Sequence, residues 1–163
     1  KDQWALNYMR KNWGEQTKIP SFNGAWQEGW DLPWGSTSHA WSSGPTALLP
    51  QEVLGLEPTG YGWKTFTVKP HTGDLKWAKG TISIVTGDIK VIWHKSAGQF
   101  NLQITIPVNT TAMVYLPTNN VESVTESGKP VVQAQGVKFL RQENNWVVLQ
   151  VGSGNYLFVS RNK

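Results

Sequence analysis

The feature that most limits what this chain can fold into is a change of hydrophobic period near residue 60. Beyond Gly60 the apolar side chains recur at every second position, the period of a half-buried strand. Phe66 and Val68 alternate with threonines, and 81–85 and 89–94 read as two strands of a hairpin around Thr86-Gly87-Asp88. Residues 100–106 alternate cleanly and are stopped by Pro107; 112–116 are stopped by Pro117. Weaker strands are expected at 121–124 and 137–140, and two more at 146–151 and 156–160 close the chain, joined by Gly152-Ser153-Gly154. Short strands between regular turn signals predict a mainly-β fold, an antiparallel, jelly-roll-like β-sandwich of about eight strands. In phase with Ile89 and Val91, Trp93 is expected on their buried face.

Residues 1–60 read differently. Trp4, Ala5, Tyr8, Met9 and Trp13 recur at helical spacing until Gly14 weakens the pattern. Residues 17–37 carry Pro20, Gly24, Gly29, Pro33 and Gly35 and read as loop. A second helical segment is expected over 38–54, interrupted at Gly44-Pro45 and at Pro50, with Gly55 as its stop. Loops this long inside a compact domain are usually functional, and six of the ten tryptophans lie in this part. Two helical pieces and a Trp-rich loop cannot close a core alone. The expected division is therefore an incomplete helical unit, 1–60, and a sandwich, 61–163, large enough for its own core.

Composition narrows the function classes. Hydrophobic residues are 39% and charged residues 16%, a globular balance. Residues 1–60 hold four Lys/Arg against six Asp/Glu, and 61–163 eleven against five, for a total of +4. The basic residues stand singly along strand-like segments, which argues against nucleic acid as a partner. No apolar run approaches membrane-spanning length, so no membrane partner is expected. The lack of cysteine suits a bacterial cytoplasm, periplasm or exterior alike and leaves the compartment open. Beginning at Lys1 without a signal-like segment, the sequence is expected to come from within a longer reading frame.

Several chemistries find no support. Ser42 and Ser43 lack a Gly-x-Ser-x-Gly setting, and no Gly-rich phosphate loop joins a strand to a helix. His71 and His94 have no ligand-like spacing and read as structural. No His/Asp/Glu cluster suggests zinc, and no cofactor is implied; a calcium held by loop oxygens is left open. The tryptophan excess points weakly to carbohydrate, with core packing an equal account of any single indole.

Sharper information lies in two runs of motifs. The first is Trp26-Gln27-Glu28-Gly29-Trp30-Asp31, then Ser36-Thr37-Ser38-His39-Ala40-Trp41-Ser42-Ser43-Gly44-Pro45-Thr46, then Val53-Leu54-Gly55-Leu56-Glu57-Pro58. The second is Gly62-Trp63, Lys69-Pro70, Gly73-Asp74-Leu75-Lys76-Trp77-Ala78-Lys79-Gly80 and Thr86-Gly87-Asp88-Ile89-Lys90-Val91-Ile92-Trp93. In this order and spacing they resemble the bacterial α-L-rhamnosidases of glycoside hydrolase family 78. The resemblance covers roughly residues 4–116.

The resemblance implies that 1–60 form the end of an (α/α)6 catalytic barrel and that the sandwich is a C-terminal accessory domain. It implies removal of terminal α-L-rhamnose, from a glycoside or a glycan, with inversion. Inversion uses one carboxylic acid to protonate the departing oxygen and one carboxylate to activate a water on the opposite face. The family's general base is the Glu of a Glu-x-Trp motif, here Glu28. A register in which Gln27 takes that place is the competing alignment, and Asp31 is the alternative carboxylate. The family's acid lies earlier in the barrel, so this chain alone is expected to be inactive and to need the remainder of its barrel as a partner. His39 corresponds to a histidine that hydrogen-bonds rhamnose hydroxyls, and Trp30, Trp34 and Trp41 are candidates to stack on the sugar. The alternative function is a non-catalytic carbohydrate-binding sandwich. The apparent burial of Trp93 favours a sandwich that buttresses the barrel.

Overall fold

The computed structural model describes residues 1–20, 22–30 and 35–161. Asp31 and Trp34, both candidates above, lie outside the described residues. The chain divides into two compact units, Lys1–Leu49 and Pro50–Lys163.

The first unit is built on helix α1, Asp2–Gln16. Asp2 stands in its first turn, where a negative charge complements the helix dipole. Gly14 does not end the helix, which runs on to Gln16. Trp4 and Tyr8, one turn apart, stack at 5.3 Å. The helical segment expected over 38–54, interrupted at Gly44-Pro45 and Pro50, is a 3-10 turn at Ala40–Ser42 followed by a short helix α2, Gly44–Leu48. Pro45 sits in the first turn of α2, where its missing N–H costs nothing. A π-helical turn, Leu49–Val53, follows. Few side chains of this unit are buried, among them Leu6, Gln16, Ser42 and Pro45.

The second unit is mainly β, two sheets with the core between them. Its strands are β1 Leu56–Pro58, β2 Thr65–Val68, β3 Trp77–Ile84, β4 Gly87–Ser96, β5 Gln99–Ile106, β6 Thr111–Pro117, β7 Val124–Glu126, β8 Lys129–Pro130, β9 Val137–Glu143, β10 Trp146–Val151 and β11 Gly154–Arg161. One sheet has the order β1-β2-β6-β10-β9, the other β3-β4-β5-β11-β7-β8. The number exceeds the expected eight partly because β1 and β8 are only two or three residues long, too short to show a period; the strand expected at 121–124 is a 3-10 turn, Val121–Ser123, that leads into β7. The predicted segments 146–151 and 156–160 are β10 and the heart of β11.

Alternation sets the core. Ile89, Val91 and Trp93 on β4 are fully buried, as their shared phase predicts; Val91 pairs with Ile104 and Trp93 with Leu102 on β5, and Leu102 in turn with Phe158 on β11. Phe66, Val68, Val114, Leu116, Val147 and Leu149 bury the opposing sheet. Burial of side chains this size contributes roughly 1.5–3 kcal/mol each.

Two expectations are corrected. The sandwich is not wholly antiparallel: β2 and β6 pair in parallel, with Phe66 opposite Ala112 and Val68 opposite Val114. The chain leaves this sheet after β2, builds the β3–β4–β5 meander in the other and returns at β6, a connection long enough for parallel pairing. The sandwich also begins before residue 61. Leu56 of β1 pairs with Val68 of β2, and Leu56 is buried.

Candidate active site

The loop between α1 and α2 gathers the sequence candidates. Glu28 and His39 flank a turn drawn together by backbone bonds: the Glu28 N–H donates to Ser36 O at 2.9 Å, and the His39 N–H to Trp26 O at 2.8 Å. The Ser36 N–H donates to Glu28 Oε2 at 3.0 Å. His39 Nδ1 lies 3.6 Å from the same oxygen. That is long for a hydrogen bond but within reach of an ion pair whenever the imidazole is protonated. Both side chains are a little over a quarter exposed, 28% for Glu28 and 29% for His39. The carboxylate is thus restrained yet open to water, a combination that suits a base activating a water molecule.

Gly35 makes the turn possible. Its φ of +121° is open to glycine, and a Cβ there would meet Glu28 Oε2 at 3.0 Å. Gly35 and Ser36 stand in the sequence only as a loop residue and as part of a motif; their contribution at the site is a backbone conformation and a backbone N–H. Gln16 was missed. It is 1% exposed at the end of α1, and its Oε1 accepts from the Gln27 N–H at 3.2 Å. This bond fixes the backbone next to Glu28.

The tryptophans separate into two kinds. Trp30 packs edge-on against Trp13 at 5.2 Å and donates its indole N–H to Asn12 O at 2.8 Å, so it pins the loop to α1. Trp13 donates to Ser42 O at 2.6 Å and pins the other end. Trp41 is 75% exposed, and its ring centroid stands 4.6 Å from that of His39. Of the two described tryptophan candidates it is the more exposed, Trp30 being 40% exposed. His71 belongs to the second unit, with Nε2 4.0 Å from Glu52 Oε2. Among the described residues no three His, Asp or Glu side chains cluster to hold a metal, and no helix is long and apolar enough to cross a membrane.

A two-sheet sandwich preceded by a helical segment carrying this loop is a bacterial α-L-rhamnosidase-like fold. Residues 55–130, from just before β1 to β8, match the family model of the bacterial alpha-L-rhamnosidase C-terminal domain. An alpha-L-rhamnosidase of Streptomyces avermitilis is 28% identical over 107 residues, covering 65% of this chain and 10% of its own length. One from Formosa agariphila is 21% identical over 152 residues, covering 93% and 16%. The solved alpha-L-rhamnosidase of Dictyoglumus thermophilum superposes with a TM-score of 0.70 at 26% identity, over 83% of this chain and 16% of that one. The Streptomyces avermitilis enzyme solved with L-rhamnose gives 0.69 at 24%, over 82% and 12%, a likeness of fold. This chain therefore spans between a tenth and a sixth of the length of these relatives.

Proposed function

We propose that this chain is the C-terminal portion of an inverting α-L-rhamnosidase, with Glu28 as its general base. The observation that carries the reading is the Glu28 carboxylate, held by the Ser36 N–H and 3.6 Å from His39 while still open to water. In this reading Glu28 takes a proton from a water attacking the anomeric carbon of a terminal α-L-rhamnosyl unit. The general acid comes from the rest of the catalytic barrel, on the opposite face of the sugar, with the carboxyl groups about 6.5–9.5 Å apart as inversion requires. His39 offers one donor and one acceptor to a pair of sugar hydroxyls, and Trp41 an aromatic face beside it. The first unit, with Trp4 and Trp41 exposed, packs on the remainder of the barrel, and the sandwich buttresses it.

The test uses the longer enzyme that contains this segment. With an aryl α-L-rhamnoside, Glu28→Gln is expected to lower kcat about 10²- to 10⁴-fold with KM little changed, because proton acceptance matters only in the transition state. His39→Ala is expected to act mainly on KM. Release of β-L-rhamnose as the first product, followed by NMR, reports inversion. If Asp31→Asn proves more damaging than Glu28→Gln, the base is Asp31 and the assignment is wrong.

A further inference from the structure

At one end of the sandwich the two sheets part around a cavity of about 280 Å³. It lies where β4 and β5 meet in their hairpin turn, at Ser96 and Gln99, and where β6 ends and β10 begins, at Pro117 and Trp146. Thr72 and Lys95 complete its polar side. We infer that this cleft, lined wholly by residues of the second unit, is a second carbohydrate site, a pocket for one pyranose unit of a glycan.

The cleft is set before any ligand arrives. Lys95 Nζ donates to Thr72 Oγ1 at 3.1 Å and to the Gly73 carbonyl, so two of its three N–H bonds are committed. The Trp146 ring packs edge-on against Tyr115 at 6.2 Å, and the Lys69 ammonium lies 5.7 Å from its centroid. Held this way, the indole loses little rotamer freedom on binding.

The unused hydrogen-bonding groups identify the ligand class. Among the described residues the Ser96 hydroxyl and the Trp146 indole N–H have no protein partner. Thr72 Oγ1 accepts from Lys95 and keeps its own hydrogen to donate. Gln99 Nε2 donates one hydrogen to Asn101 Oδ1 at 2.9 Å and has a second. The lining thus sets several neutral donors and one partly committed cation against an indole and a proline ring. A phosphate would call for more uncommitted positive charge. A sugar ring presents both what these groups need, a rim of hydroxyls and an apolar C–H face, and the cavity is of single-ring size.

The experiment is a titration of the intact ¹⁵N-labelled chain with methyl α-L-rhamnopyranoside and, separately, methyl α-D-glucopyranoside. At least one is expected to give saturable shifts at Ser96, Gly98, Gln99 and the Trp146 indole N–H, with a Kd in the millimolar range. Trp146→Ala is expected to weaken binding about tenfold or more. Because Trp146 also packs on Tyr115, Ser96→Ala is the second variant; its exposed hydroxyl can be removed without disturbing the core, and a several-fold weakening is expected. The absence of saturable shifts at these residues with both glycosides overturns the proposal. So does binding there that neither variant weakens. Shifts confined to Glu28, His39 and Trp41 would support the active-site reading and sink this one, so the two fail separately.

Discussion

The indole N–H of Trp93, at the centre of the sandwich, donates to the backbone carbonyl of Val53 at 2.8 Å. Trp93 also stacks on Phe100 at 5.9 Å. The largest fully buried side chain thereby ties the segment that enters the sandwich to its core. Trp93→Phe keeps the aromatic packing and deletes the donor. Leaving a buried carbonyl short of a partner costs about 1–3 kcal/mol. Urea denaturation should show a lower midpoint with an unchanged slope; no change in midpoint would show that the bond contributes nothing.

Two glycines are expected to respond oppositely to alanine. Gly14 lies inside α1 with open space around its Cβ position. Gly14→Ala should stabilise the helix by about 0.5–1 kcal/mol, seen as a gain in ellipticity or melting temperature. Gly55 has a φ of +73°, and a Cβ there would collide with the backbone of Lys69 and Pro70. Its carbonyl accepts from the Lys69 N–H at 2.9 Å, so the close approach is part of the pairing of β1 with β2. Gly55→Ala should cost at least the ~1–3 kcal/mol of a strained backbone position, measured by denaturation.

A third prediction concerns pH. A hydrogen bond from Arg141, at 2.7 Å, holds the Glu143 carboxyl below its ordinary range. A depressed folded-state value means that the stabilisation is present above the unfolded value and fades as pH falls through the folded one. The pair is exposed on edge strand β9, so the effect is small and screened by salt. Carboxyl NMR should show Glu143 titrating low in the intact chain, and Arg141→Gln should move its midpoint upward. An unmoved midpoint would rule out Arg141 as the cause.

Gly35 provides the fourth test. A methyl group there would press on Glu28 Oε2 in a backbone conformation alanine rarely adopts. In the longer enzyme Gly35→Ala should lower kcat roughly tenfold or more, since a misplacement of about 1 Å at a reacting group can cost 10²-fold. Folding of the sandwich should be unaffected. Full activity in Gly35→Ala would mean that the Glu28 position seen here is not the working one.

Local pattern carried much of this protein. Strict alternation placed Ile89, Val91 and Trp93 on one buried face, because side chains of a strand must point to opposite sides in turn. Helical spacing located α1, and the family resemblance carried by the Glu-x-Trp and His-x-Trp-Ser motifs pointed to Glu28 and His39, whose side chains lie 3.6 Å apart. Period, however, says nothing about which strand lies beside which. The parallel pairing of β2 with β6 and the early entry of β1 into the sheet depend on chain connection and backbone hydrogen bonds, which leave no mark in side-chain spacing. The tryptophans show the same division. Trp30 and Trp41 are equivalent aromatics in the sequence, yet Trp30, 40% exposed, is fixed by Trp13 and the Asn12 carbonyl, while Trp41, 75% exposed, stands beside His39. Only tertiary structure separates them, because what holds a side chain depends on what packs against it, and those neighbours come from distant parts of the chain.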